Sequence, residues 1–189
     1  MNENVALFDM DGTLCDYETA LIRDLNKMRS PEEPEIKLVP GDRAPSWMHE
    51  RMNAIRASQD WWEYLPELYL GMNVYRFAEA VGYRPMILTQ GPKRNPEAWA
   101  GKKRWIDKNL GRDVDITITR DKGLVYGKVL VDDFPKYITR WLEWRPRGLV
   151  IMPASEHNKD FKHPQVIRYT ACGNEDEHIL DELEKRLGK

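Results

Sequence analysis

A chain of 189 residues is long enough to bury a sizeable core and reads as one domain with room for an inserted subdomain. Its 29 basic and 31 acidic side chains leave a formal charge of −2 and a pI near 6.1, which excludes a surface built to neutralise a nucleic-acid backbone and makes any nucleotide partner a small one. No apolar run approaches the ~20 residues of a membrane helix. The start Met1-Asn2-Glu3-Asn4 lacks the basic opening of a secretory signal and the Arg-rich character of a transit peptide, and Cys15 and Cys172 allow at most one bridge. The expectation is a soluble, cytoplasmic protein of a reducing compartment.

Val5 to Phe8 is short, apolar and bounded by turn residues, which predicts a buried strand. Asp9 follows directly, so its carboxylate emerges at a strand end, where it can attack phosphorus to form an aspartyl-phosphate. Asp11 lies two residues on. In an extended start that spacing returns the side chain to the same side, where it can protonate a leaving oxygen and then deprotonate the attacking water. Gly12 permits the sharp turn this proximity requires. Alone, Asp9-Met10-Asp11-Gly12-Thr13 equally describes an Asp-rich turn closing a strand.

Residues 16 to 76 show helical patterns, Glu18 to Met28 and Trp47 to Ala57, and no clear strand. A βαβ crossover needs far fewer residues, so a helical insertion over the strand ends is expected. Its linker Ser30-Pro31-Glu32-Glu33-Pro34, with Pro40-Gly41-Asp42 beyond, is too rich in Pro and charge to continue a helix, and reads as a mobile flap or a surface loop. Trp61 and Trp62, with Tyr64, Leu65 and Leu68, fit either helix-bundle core or a platform on which a base stacks.

Pro85 to Leu88 predicts the next strand, ending on Thr89, whose hydroxyl can reach a phosphate oxygen beside the N–H groups of Gln90 and Gly91. The helix from about Pro96 to Leu110 carries Ala98, Trp99, Trp105 and Ile106 on one stripe, with Lys102 in its middle, Lys103 at its edge and Arg104 opposite. An inward lysine needs an anionic partner, unless it snorkels to the surface. Ile116 to Ile118 and Val129 to Val131 follow as strands, and the latter ends on Asp132-Asp133. Two carboxylate pairs brought together repel unless a cation sits between them, and hard oxygen ligands near phosphate favour Mg²⁺. The pair also reads as a capping turn before Phe134-Pro135.

Trp141 and Trp144 are expected to pack between helix and sheet. Leu149 to Ile151 and Val166 to Tyr169 close the strand series, and Ile179, Leu180, Leu183 and Leu187 mark a terminal helix. The alternation predicts an α/β fold, a mostly parallel sheet covered on both faces. His157, His163 and His178 make no zinc-like arrangement with cysteine, which leaves His157 a structural or supporting role. Gly101-Lys102-Lys103 lacks the spacing of a P-loop, which argues against a nucleotide kinase.

DMDGT, the Thr of ILTQG, an inward Lys and the VDD pair together resemble the haloacid dehalogenase superfamily, whose core is Rossmann-like. The resemblance implies Asp9 as nucleophile, Asp11 as acid/base, Thr89 and Lys102 as phosphate-binding groups, and Mg²⁺ held by Asp9, the Asp11 carbonyl and the Asp132-Asp133 pair, with the direct ligand of the pair left open. Within it the chain most resembles the 5'(3')-deoxyribonucleotidases. Leu14-Cys15-Asp16-Tyr17 follows the first motif, the insertion has the size of that family's cap, and Lys93 stands at the family's distance from the Thr motif. Ile118-Thr119-Arg120-Asp121-Lys122 resembles its LTRDK segment, and His157-Asn158 also matches.

That likeness implies a core of 1–15 and 77–189 with a cap of 16–76. Tyr17, Trp61 and Trp62 would hold the base, and Lys93 and Arg120 would lie near the phosphate, as would Gln90, which stands where the animal enzymes carry serine. The expected function is a Mg²⁺-dependent phosphomonoesterase that hydrolyses (deoxy)nucleoside monophosphates to nucleoside and phosphate through an aspartyl-phosphate. The other readings are a phosphatase for another small phosphate ester, such as a sugar phosphate, and a non-catalytic phosphate-binding protein. The expected partner is a small-molecule phosphate ester, with no nucleic-acid polymer and no membrane; a homodimer is left open.

Overall fold

The computed structural model describes residues 4–41 and 43–188, so the readings of Met1 to Glu3 and of Asp42 lie outside the described residues. By its internal contacts the chain divides into two compact units: Met1–Cys15, Glu67–Gln90 and Val114–Lys189 in the first, Asp16–Pro66 and Gly91–Asp113 in the second.

The first unit is built on six parallel strands, β1 (Val5–Phe8), β2 (Arg84–Thr89), β3 (Ile116–Ile118), β4 (Val129–Val131), β5 (Leu149–Pro153) and β6 (Val166–Tyr169), in the order β3-β2-β1-β4-β5-β6. Every strand lies where its apolar run predicted it. Alternate side chains point to opposite faces. Leu7, Leu88, Leu130, Val150 and Met152 make one face, covered by Ile138, Trp141 and Leu142 from the helix Pro135–Trp144. On the other, Phe8 meets Tyr75 at 5.0 Å between ring centroids, in the helix Tyr69–Val81. The terminal helix Glu175–Leu187 buries Ile179 and Leu183, and the Tyr83 hydroxyl donates to the Leu183 carbonyl at 3.0 Å. Burial on both faces explains why β1, β4 and β5 read as continuous apolar runs rather than as alternations, while the edge strands β3 and β6 are half-buried.

The second unit holds α1 (Tyr17–Lys27), α2 (Ser46–Arg56), α3 (Gln59–Glu63) and, after the α4 helix Tyr69–Val81 of the first unit, α5 (Pro96–Asn109); the first unit's helices Pro135–Trp144 and Glu175–Leu187 are α6 and α7. Leu21, Leu25, Met48 and Met52 form a small core with Ile36, Val39 and Ile55 around it. The linker at 30–34 runs through turns, and Arg51 donates to both oxygens of Glu33, at 2.8 and 3.1 Å. On α5, Ala98, Lys102, Trp105 and Ile106 are all buried, as the helical phase required.

Two tryptophan expectations fail. Trp99 lies at the edge of its stripe and is 42% exposed, its indole N–H donating to the Pro92 carbonyl at 3.0 Å. Trp144 does not pack under α6 beside Trp141: it closes the helix, is 63% exposed and carries the Arg140 guanidinium 5.6 Å from its ring. A three-residue step from 141 advances the helix by about 300°, which takes Trp144 off the buried stripe as the helix ends.

Candidate active site

Parallel pairing aligns Phe8 on β1 with Val131 on β4, and the Asp9 N–H donates to the Val131 carbonyl at 2.9 Å. The residues after the two strands, Asp9 and Asp132, therefore leave adjacent carboxyl ends. This is where strand order reverses, one connection running to β2 and the other side taken by β4, the position at which open α/β sheets bind ligands. Carboxylate oxygens of Asp9, Asp132 and Asp133 lie within 4.8 Å of one another, and all three residues are buried.

The loop after β1 is shaped to hold this arrangement. The N–H groups of Thr13, Leu14 and Cys15 converge on the Met10 carbonyl at 3.2, 2.8 and 2.9 Å. The Thr13 hydroxyl donates to Asp133 Oδ1 at 3.0 Å and accepts the Asp133 N–H at 3.2 Å. Gly12 has φ +77°, and a Cβ there would stand 2.5 Å from Asp133 Oδ2. Gly71 on α4 lets that helix approach the same loop, since its Cβ would meet the Thr13 carbonyl at 1.9 Å. Asp11 is partly exposed, with the Cys15 thiol 3.9 Å from its Oδ1. Cys15 is buried and Cys172 exposed, and the two are not joined in a disulfide.

The cation beside these carboxylates is Lys122, which in the sequence is marked only as the last residue of the Ile118–Lys122 segment. Its Nζ lies 2.7 Å from Asp9 Oδ1 and 2.6 Å from Asp132 Oδ2, and the residue is 1% exposed. A short turn aims it. Asp121 accepts the Gly123 N–H at 3.0 Å and is clasped by Arg140, whose Nη2 lies 2.8 Å from Asp121 Oδ2. The signal available was the likeness of Ile118-Thr119-Arg120-Asp121-Lys122 to the family's LTRDK segment, since a lysine in a short turn is ordinarily solvated. Tyr137 adds a third contact, its ring 4.7 Å from the Lys122 ammonium and its hydroxyl donating to Gln90 Oε1 at 2.6 Å.

Burial pushes the Asp132 carboxyl up to about 7, with Lys122 opposing and the charges of Asp9 and Asp133 adding to the rise. Burial also raises Asp133, opposed by His157. For Lys122 burial works against the charge, but Asp132 and Asp9 outweigh it and hold the ammonium above its ordinary range. Two like charges ~4 Å apart cost about 4 kcal/mol at an effective dielectric near 20, so the cluster retains a proton or takes up a cation. Three carboxylates against one ammonium leave two negative charges, which a divalent ion matches. The all-oxygen donor set is that of a hard metal. His157 and Asn158 steady it from behind: His157 Nε2 lies 3.0 Å from Asp133 Oδ2, and Asn158 Nδ2 donates to the Asp133 carbonyl at 3.0 Å. The capping role of the pair is also present, since Asp132 Oδ1 accepts the Phe134 N–H at 2.9 Å.

The remaining expected site residues fall into both units. In the first, Thr89 is buried at the end of β2 with Gln90 next to it, and Arg120 is exposed. In the second, Tyr17, Trp61 and Trp62 do meet: the Tyr17 ring stacks on Trp62 at 5.7 Å and meets Trp61 edge-on at 5.6 Å. Trp62 is 2% exposed, donates to the Arg56 carbonyl at 2.8 Å and carries the Lys102 ammonium 5.1 Å from its ring. Trp61 is partly exposed and donates to Asp24 Oδ2 at 3.0 Å. Lys93 is exposed.

A Bordetella pertussis protein named by inference as a 5'(3')-deoxyribonucleotidase is 31% identical over 163 residues, covering 82% of this chain and 85% of that protein. The cytosolic type 5'(3')-deoxyribonucleotidase of Homo sapiens is 29% identical over 178 residues, covering 86% of this chain and 85% of that protein. No family model matches the chain. Among solved structures, a haloacid dehalogenase-like hydrolase from Burkholderia xenovorans superposes with a TM-score of 0.52 over 99% of both chains at 17% identity, a likeness of fold.

Proposed function

Because the chain belongs to the 5'(3')-deoxyribonucleotidase family, within the haloacid dehalogenase superfamily, and is thereby a phosphatase, we propose that it hydrolyses deoxynucleoside monophosphates to nucleoside and phosphate. The observation that carries the chemistry is the buried Asp9, Asp132 and Asp133 cluster with Lys122 bonded to two of its members. Asp9 attacks phosphorus in line as the bond to the leaving oxygen breaks, and Asp11 protonates that oxygen, releasing the nucleoside. Asp11 then takes a proton from water, which attacks the aspartyl-phosphate, frees phosphate and restores Asp9. Lys122 offsets the charge on Asp9 and Asp132. Thr89 and Gln90 at the end of β2 are assigned to the phosphate oxygens. Mg²⁺ held by Asp9, the Asp11 carbonyl and the Asp132-Asp133 pair would supply charge neutralisation for the phosphate.

The metal assignment predicts that chelation abolishes phosphate release and that added Mg²⁺ restores it, while Ca²⁺, larger and more loosely coordinated, supports it poorly. Phosphate release at full rate in excess chelator would contradict it.

The substrate assignment rests on the family and on the Tyr17, Trp61 and Trp62 cluster. A base-aromatic contact is worth about 1 to 3 kcal/mol, so Trp61→Ala should cut kcat/KM for a pyrimidine deoxynucleoside monophosphate roughly 5- to 150-fold and spare a small aryl phosphate. Trp61 is the cleaner test, because Trp62→Ala empties a buried site at a stability cost of about 3–5 kcal/mol. A panel of phosphate esters with Mg²⁺ decides the class. Should sugar phosphates prove the better substrates, or Trp61→Ala keep the nucleotide preference, the nucleotidase assignment or its pocket fails while the phosphatase chemistry stands.

A further inference from the structure

All six strands run parallel, so the segments entering β4 and β5 lie at the end of the sheet opposite Asp9 and Asp132. There a cleft of about 440 Å³ is lined by Lys128, Arg145, Arg147 and Arg186 together with Tyr126 and Trp144. The chain as a whole carries more acid than base, yet among the described residues no acidic one lines this cleft. Among the described residues no carboxylate is hydrogen-bonded to Lys128, Arg145 or Arg147; the Arg186 guanidinium donates to the Arg147 carbonyl and, at 3.2 Å, to Gln165 Oε1, with the Glu182 charge near it. Four cations lining one cleft reinforce one another's field.

A basic rim of long, solvated side chains would need no ligand. Two features separate this cleft from one. Arg145 is half-buried: Nη1 donates to the Gly123 carbonyl at 2.8 Å, the guanidinium lies 5.1 Å from the Trp141 ring, and its Nε–H is buried with no acceptor. Burial accordingly holds this guanidinium below its ordinary range. An arginine already held in place by its neighbours gives up little side-chain freedom when it meets an anion. The second feature is aromatic. Tyr126 and Trp144 line the same cleft while 54% and 63% exposed, leaving large ring surfaces in water beside the cations.

We infer that this cleft binds a nucleoside di- or triphosphate, its phosphates against Lys128, Arg145, Arg147 and Arg186 and its base against Tyr126 and Trp144. Arginine forks suit phosphate oxygens, and a ring face accepts any base. The site is separate from the carboxylate cluster, and its test needs no turnover.

Adenosine triphosphate is titrated calorimetrically into the whole protein in EDTA, which keeps metal from the carboxylates. The expected result is saturable binding at one site, weakened at least about tenfold by Lys128→Ala and by Arg147→Glu and unchanged by Asp9→Asn. Circular dichroism of each variant establishes that it is folded. Trp144→Leu should weaken the nucleotide and leave inorganic tripolyphosphate unaffected. No saturable heat up to about 1 mM, equal affinity in Arg147→Glu and wild type, or loss of binding in Asp9→Asn would each overturn the site. Equal affinity for tripolyphosphate and the nucleotide would overturn the base contact.

Discussion

Asp9→Asn is expected to lower kcat by about 10³- to 10⁶-fold, the range for loss of a covalent nucleophile, while the far-ultraviolet circular dichroism stays that of the wild type. The carboxamide has nearly the shape of the carboxylate, and its oxygen can still accept from Lys122, whose Nζ lies 2.7 Å from Asp9 Oδ1. The backbone bond from the Asp9 N–H to Val131 does not involve the side chain. What is lost is a lone pair able to attack phosphorus. Rapid quenching with a labelled phosphate ester should accordingly trap protein-bound phosphate in the wild type and none in Asp9→Asn. Asp11→Asn should slow both formation and breakdown of that adduct. Near-normal phosphate release by Asp9→Asn, with contaminating phosphatase excluded, would remove the aspartyl-phosphate mechanism.

Lys122→Met should be the second most damaging change. Its ammonium offsets Asp9 and Asp132 from 2.7 and 2.6 Å, and removing a preorganised charge of this kind from an active site costs about 10²- to 10³-fold in kcat. Breaking a buried pair also costs about 3–5 kcal/mol of stability, and methionine keeps most of the lysine volume so that packing loss does not confuse the result. The direction for Asp132 is clear: burial has already pushed its carboxyl up to about 7, and Lys122 is the group opposing the rise. Without the lysine the carboxyl of the metal-free cluster goes higher, so protons should compete better with Mg²⁺ and metal affinity should fall more steeply as the pH is lowered. Lys102, which the resemblance assigns to phosphate binding, is the comparison: its ammonium lies over the Trp62 ring among its contacts, and Lys102→Ala is expected to cost less than Lys122→Met. Activity of Lys122→Met within about twofold of wild type, or a larger loss in Lys102→Ala, would show that Lys122 has been misassigned.

Helix phase and charge illustrate how far local pattern reaches. Lys102 was expected to face inward because Ala98, Trp105 and Ile106 recur at helical spacing around it, and it is fully buried. Periodicity says that a side chain is inside but not what it meets. Lys122 shows the converse, for its three-residue turn is too short to display any period. Its burial depends on Arg140 from α6 clasping Asp121 and on Tyr137 covering it. Trp99 and Trp144 carry the same lesson, since residues at the edge or end of a stripe are decided by whichever neighbour is there to cover them.

The amino-acid sequence by itself determined where β1 to β6 lie, because each is a short, largely apolar run, fully buried in β1, β4 and β5 and half-buried in the edge strands β3 and β6, and it determined that Asp9, Thr89 and Asp132 stand at or just past strand ends, because each closes such a run. The family was legible in the same residues. Tertiary structure alone decided that β1 lies between β2 and β4, and hence that Asp9 shares an edge with a pair more than a hundred residues further along the chain. It alone decided which lysine lies beside that pair. Burial on both faces imprints itself locally, on every residue of a strand. The choice of a neighbour is made by long-range packing, in which any of several apolar strands could have paired with β1, and no single stretch of sequence records the outcome.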